Sequence, residues 1–151
     1  GLLAWVNVHA PMLELPDEHW DRLIGELGLE GRVHLLGHLA EPASLIADAD
    51  VFVMSSRDEG LGTSVLDAMA LGIPVASTSA GGLPEMLQDG AGVLAVPGRP
   101  EELADAVARL LGDPMFARAT AARATATVAR FTAARMAEGV RQVYRSCVPF
   151  P

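Results

Sequence analysis

Short runs of consecutive apolar residues alternate along the chain with stretches in which apolar positions recur every three or four residues. The apolar runs fall at residues 2–8, 33–36, 51–54, 74–78 and 93–96. Their near-continuous hydrophobicity predicts strands covered on both faces, as in a parallel sheet. Between the first two runs, residues 17–27 place Trp20, Leu23, Ile24 and Leu27 on one helical stripe, and Gly28 is a natural stop. A short helix is expected over 43–49, and another over 63–71 that Gly72 and Pro74 terminate. Pro100 suits the first position of a helix over 100–111, with Glu101 and Glu102 in its favourable first turn. Two Ala- and Arg-rich helices are expected over 114–129 and 132–146, with Thr132 as N-cap of the second. Strands alternating with helices predict a Rossmann-like α/β fold: a parallel sheet with helices on both faces. Nothing marks an internal repeat or a linker, so residues 1–151 read as one unit ending in two helices.

Composition adds limits. Half of the 151 residues are hydrophobic and 20% are charged, ordinary proportions for a globular domain long enough to bury a core. Aromatics make up only 5%, so the core is aliphatic; Met54, Met69 and Met86 read as core filler, and Trp5 and Trp20 as packing anchors. No apolar run nears the ~20 residues of a membrane span, and residues 1–11 lack the basic flank of a secretory signal. A single cysteine, Cys147, excludes an intrachain disulfide and a cysteine-built metal site. His9, His19 and His34 have no ligand spacing, so no metal is expected. A cytoplasmic location is expected.

The net charge of −8 is unevenly spread: residues 1–113 carry 5 Arg against 18 acidic groups, whereas residues 114–151 carry 6 Arg against Glu138 alone. An acidic body argues against a nucleic-acid partner. The Arg-rich C-terminal helices offer a weak contact to an anionic membrane surface or an acidic neighbour, although exposed Arg on helix faces is more often simply solvated.

In an open parallel sheet, ligands bind beyond the carboxyl ends of the strands. The loops at that edge are 37–42, 55–62, 79–83 and 97–100. The second reads Ser55-Ser56-Arg57-Asp58-Glu59-Gly60-Leu61-Gly62 and joins a buried strand to a helix. Its glycines permit positive φ and close approach of a ligand. The helix start after it presents unpaired N–H groups and a positive dipole end, which suit a phosphate. Asp67 falls about a turn and a half inside that helix, while Glu59 stays in the loop. Two carboxylates so placed grip hydroxyl groups at two points of an elongated ligand, at roughly 1.5–3 kcal/mol per charge-assisted bond. Arg57 is the local cation that offsets their repulsion of a phosphate. The Gly81-Gly82 pair reads equally as a structural turn and as a ligand contact.

The stretch 55–87, SSRDEGLGTSVLDAMALGIPVASTSAGGLPEML, resembles the central motif of glycosyltransferase family 4, in which a Glu is followed after seven residues by a second Glu. Glu59 matches the first position and Asp67 the second. The likeness extends through LEGRVHLLG at 29–37, DADVFVM at 48–54 and residues 92–111, and covers roughly residues 20–146. It implies the C-terminal, donor-binding domain of a two-domain GT-B enzyme. By that likeness Glu59 acts at the donor sugar. Backbone amides of Gly60, Leu61, Gly62 and Thr63 meet the sugar and diphosphate, Asp67 holds the ribose, and His38 lies beside the base. The resemblance further implies retention of anomeric configuration, a hexose-type sugar in a nucleoside diphosphate donor, and no metal or other cofactor.

Two departures from the family pattern bear on activity. Its first strand and helix, with the Arg and Lys that clamp the diphosphate, have no counterpart ahead of Leu2, and a groove is expected where that central strand would lie. The acceptor-binding N-terminal domain is also absent, so this chain alone is expected to be inactive and to need that domain or a partner chain. The alternative is a non-catalytic GT-B-like subunit with weak or no nucleotide binding. A nicotinamide dehydrogenase is set aside, because Val8-His9-Ala10-Pro11 lacks the Gly-x-Gly-x-x-Gly turn.

Overall fold

The computed structural model describes residues 4–7, 17–37 and 39–147. Four strands, β1 (Ala4–Asn7), β2 (Val51–Met54), β3 (Val75–Thr78) and β4 (Val93–Ala95), form one all-parallel sheet in the order β1-β2-β3-β4. Helix α1 (Asp17–Glu26) and helix α2 (Ala43–Ala47) lie between β1 and β2, α3 (Thr63–Ala70) between β2 and β3, and α4 (Leu83–Met86) between β3 and β4. Helices α5 (Pro100–Gly112), α6 (Pro114–Val128) and α7 (Ala133–Cys147) complete the chain.

Strand alternation divides the core into two layers. On β2, Phe52 and Met54 point into a cluster with Ile46 of α2, Val65 and Met69 of α3, and Leu83 and Met86 of α4. Val51 and Val53 point the other way and meet Ala106 and Leu110 of α5. The two-residue period of a strand therefore sends neighbouring side chains to helices on opposite faces. Crossovers of one hand in a sheet of sequential order deliver their helices to one face, which leaves the other to α5. Helix α6 joins the layers: Phe116 and Ala117 pack with the α5 side, while Ala124 belongs to the α3 side. Its Thr125 hydroxyl donates to the Met69 carbonyl at 3.0 Å, tying α6 to the end of α3.

Helix ends follow local chemistry. Asp113 Oδ1 accepts from the amides of Met115 and Phe116 at 3.1 and 3.0 Å and caps α6. Thr132 caps α7 through the Arg135 amide at 3.2 Å. Helix α3 ends in a Schellman motif: Gly72, at φ +74°, donates to Met69, and Ile73 donates to Ala68.

Two expectations need correction. Residues 33–36 form no strand; Val33, Leu35 and Leu36 are 40%, 47% and 50% exposed. The apolar pattern reports only a local preference, and among the described residues no strand pairs with this segment. The groove expected beside the first strand is also filled, because β1 pairs directly with β2 in the register Ala4↔Val51 to Asn7↔Met54. On the α1 stripe Trp20, Leu23 and Ile24 are half-buried, whereas Leu27 lies past the helix end and is exposed. Among the described residues no helix is long and apolar enough to cross a membrane.

Phe52 is fully buried between β2 and the α2–α3 layer, so Phe52→Ala is expected to destabilise the fold by about 3–5 kcal/mol in urea titration. Asp113→Ala, which removes only a cap, is expected to cost about 1 kcal/mol in the same measurement. Equal costs would contradict the division into core and cap.

Candidate functional site

The carboxyl ends of β2 and β3 lie level, with Met54 opposite Ser77. The loops that leave them, 55–62 and 79–82, therefore emerge side by side on one edge of the sheet. The first loop is folded around the carboxylate of Glu59. Glu59 Oε2 accepts from the Ser56 hydroxyl at 3.2 Å, and Oε1 accepts from the Gly62 amide at 3.1 Å. The side chain is half-buried as a result. A carboxylate has about four acceptor positions, so two such bonds leave acceptor capacity for an incoming hydroxyl.

Gly62 is the N-cap of α3 and adopts φ +65°, in the left-handed region open to glycine at little cost. Having no side chain, it leaves the start of α3 without a side-chain cap. The Val65 amide is satisfied by the Gly62 carbonyl at 2.9 Å. Gly60, Leu61 and Thr63 are exposed around this helix start. A helix N-terminus whose cap residue has no side chain, next to a fixed carboxylate, can hold an anion and a hydroxyl-rich group side by side.

Asp67 is exposed on α3. Val65, Ala68 and Met69 supply the buried face of that helix, and at 100° per residue Asp67 falls on the side away from them, one turn beyond Thr63. The rise from Thr63 to Asp67 is about 6 Å, at 1.5 Å per residue. Glu59, Gly60, Leu61, Gly62 and Thr63 thus form one continuous loop and helix start, with Asp67 on the exposed flank of the same helix. Arg57 is exposed in the same loop. His38 lies outside the described residues. An open cavity of about 750 Å³ adjoins the loop and is lined by Leu61, Leu66 and Glu85 on one side and Phe131, Met136 and Gln142 on the other. A smaller cavity, about 230 Å³, includes Asp50, Gly72 and Pro74 and sits at the opposite edge of the sheet.

The 79–82 turn turns out to be a support under the loop. The Gly82 amide donates to the Gly60 carbonyl at 3.2 Å, and the Thr78 hydroxyl donates to the Ser56 carbonyl at 2.6 Å. Sequence inspection passed over Ser56 and Thr78. The available signal for Thr78 was a pair of hydroxyl residues closing a short buried strand, Val75-Ala76-Ser77-Thr78.

The chain is similar in sequence and fold to known proteins. Residues 11–113 match the family described as glycosyl transferases group 1. The chain is 36% identical over 108 residues to N-acetyl-alpha-D-glucosaminyl L-malate synthase of Bacillus anthracis, covering 71% of this chain and 28% of that protein. The crystal structure of Anabaena HepE in complex with UDP-glucose superposes with a TM-score of 0.82 at 28% identity, over 96% of this chain and 41% of that one. The C-terminal domain of a group 1 glycosyl transferase from Francisella tularensis gives a TM-score of 0.67 at 26% identity, over 75% and 60% of the two chains. The present chain spans 24–28% of the length of the first curated relatives it matches. It belongs to the group 1 glycosyltransferases, and its sheet and helices are those of the C-terminal domain of the GT-B fold.

Proposed function

We propose that residues 59–67 bind the nucleoside diphosphate sugar of a retaining glycosyltransferase of family 4 type that transfers a hexose-type sugar to an acceptor. The observation that carries this reading is the position of the Glu59 carboxylate. Its two oxygens are fixed by the Ser56 hydroxyl and by the Gly62 amide at the start of α3. In this arrangement Glu59 accepts from hydroxyls of the donor sugar. The amides of Gly60 to Thr63 meet the diphosphate at the positive end of α3. Asp67, one turn further along the exposed face, accepts from the ribose. Asp is one methylene shorter than the Glu of the family motif, so either the ribose contact is looser or the helix lies slightly closer to it. The match to an Anabaena protein solved with UDP-glucose supports a donor of this chemical class.

Transfer also requires an acceptor site, which we assign to a part of the protein beyond these 151 residues or to a partner chain. Helix α7 has no buried residue, and its Met136, Val140, Val143 and Tyr144 share one exposed face. That uncovered apolar face supports packing of the acceptor half against α7.

Calorimetric titration of the complete protein with UDP, UDP-glucose, GDP and GDP-mannose tests the donor assignment. One nucleotide series is expected to bind. Glu59→Gln keeps an oxygen for the Gly62 amide but removes the charge. It is expected to weaken the nucleotide sugar about tenfold, the lower end of a charge-assisted bond, and to change the free nucleotide less than threefold. Asp67→Ala is expected to weaken both about equally, since both carry the ribose. Absence of heat with either series would overturn the assignment in favour of a non-catalytic subunit, and equal loss of both ligands in Glu59→Gln would overturn the placement of Glu59 at the sugar.

A further inference from the structure

We propose that Gly81 is a positioning residue of the donor site: it sets the place of the Glu59–Gly60 peptide, and through it the direction of the Glu59 carboxylate. The inference rests on the donor assignment above and extends it to a residue on a different loop.

Gly81 adopts φ +51°, and a Cβ built on it would lie 1.6 Å from the Glu59 carbonyl oxygen and 2.7 Å from the carbonyl carbon. Those atoms are backbone, so they cannot move aside as a flexible side chain would. Any side chain at 81 must displace Glu59 itself by more than an ångström to reach ordinary contact. Gly82 adds a second restriction, since its Cβ would fall 2.8 Å from the Gly60 carbonyl oxygen, the acceptor of its own amide. Three further contacts complete the seat. Thr78 holds the Ser56 carbonyl. The buried Leu83 side chain fills the space that a Cβ on Gly62 would need, 2.7 Å from Cδ2. The Ser79 amide donates to Ala95 at 2.8 Å, anchoring the supporting turn to β4.

The donor loop is therefore pressed onto the β3–α4 turn along its length, and the closest approach is at the peptide that carries the proposed sugar-binding carboxylate. A displacement of about 1 Å at a reacting or binding group can lower activity on the order of a hundredfold, even when the fold survives. Strain alone does not account for a requirement for glycine here. Gly72 has a similar positive φ of +74°, but the nearest atom to its Cβ would be the Thr125 hydroxyl at 3.8 Å, an ordinary contact at the other end of the sheet.

Gly72→Ala thus serves as the matched control for backbone conformation, and Gly81→Asn as a second probe, because Asn tolerates left-handed backbone yet still carries a Cβ. The readout is the ratio of nucleotide-sugar to free-nucleotide affinity in the complete protein, titrated with UDP-glucose and UDP or with GDP-mannose and GDP. A merely structural role would lower the folded fraction without moving that ratio. Gly81→Ala and Gly81→Asn are expected to shift it at least tenfold against the sugar, and Gly72→Ala less than twofold. A folded Gly81→Ala with the parent ratio would overturn the proposal while leaving the donor assignment intact. Failure of the parent to bind either series would overturn both. Should the Gly81 variants not fold, Gly82→Ala and Thr78→Val decide by the same ratio: a shift of threefold or more supports the seat, and an unchanged ratio in both overturns it.

Discussion

The Glu59 carbonyl approaches Gly81 so closely that no side chain fits between them, and the rest of the site is arranged around that approach. It is available only because β2 and β3 are parallel neighbours whose ends lie level. Two loops leave the same edge together, one glycine-rich and one holding a carboxylate. The layers beneath set this geometry. Phe52 and Met54 fix β2 against α3 and α4, and buried Leu83 places the turn that supports the loop. Core packing thus fixes the shape of the loop that carries Glu59.

Most of the fold was legible from periodicity and end signals. The strands at 51–54 and 93–95, the long C-terminal helices, the cap at Thr132 and the helix start at Pro100 depend on neighbours in sequence, and local patterns report them well. Residues 33–36 show where that logic stops. Val33, Leu35 and Leu36 have the composition of a buried strand, but pairing depends on which edges the rest of the chain leaves open. The direct pairing of β1 with β2 was hidden for the same reason, since it joins residues more than forty positions apart.

The site divides along the same line. Glu59, Gly60, Leu61, Gly62 and Thr63 are contiguous and carry a recognisable spacing to Asp67, and helical periodicity alone puts Asp67 on the exposed face of α3. The supporting contacts were not readable. The bond from Thr78 to Ser56 spans 22 residues, and the need for glycine at 81 comes from a backbone atom that only the folded chain brings near. Nor does sequence show that Glu59 folds back onto the Gly62 amide. That bond gives the carboxylate a fixed direction and places it in competition with a ligand for one amide at the start of α3.

The central claim is that one loop and one helix start hold opposite ends of a nucleotide sugar. A crystal structure of the complete protein with its nucleotide sugar bound tests it most directly. The account predicts a sugar hydroxyl within hydrogen-bond distance of Glu59, the diphosphate against the amides of Gly60 to Thr63, and the ribose at Asp67. A nucleotide sugar bound elsewhere, with the Glu59 carboxylate still closed on Ser56 and Gly62 and no ligand at the start of α3, would contradict it.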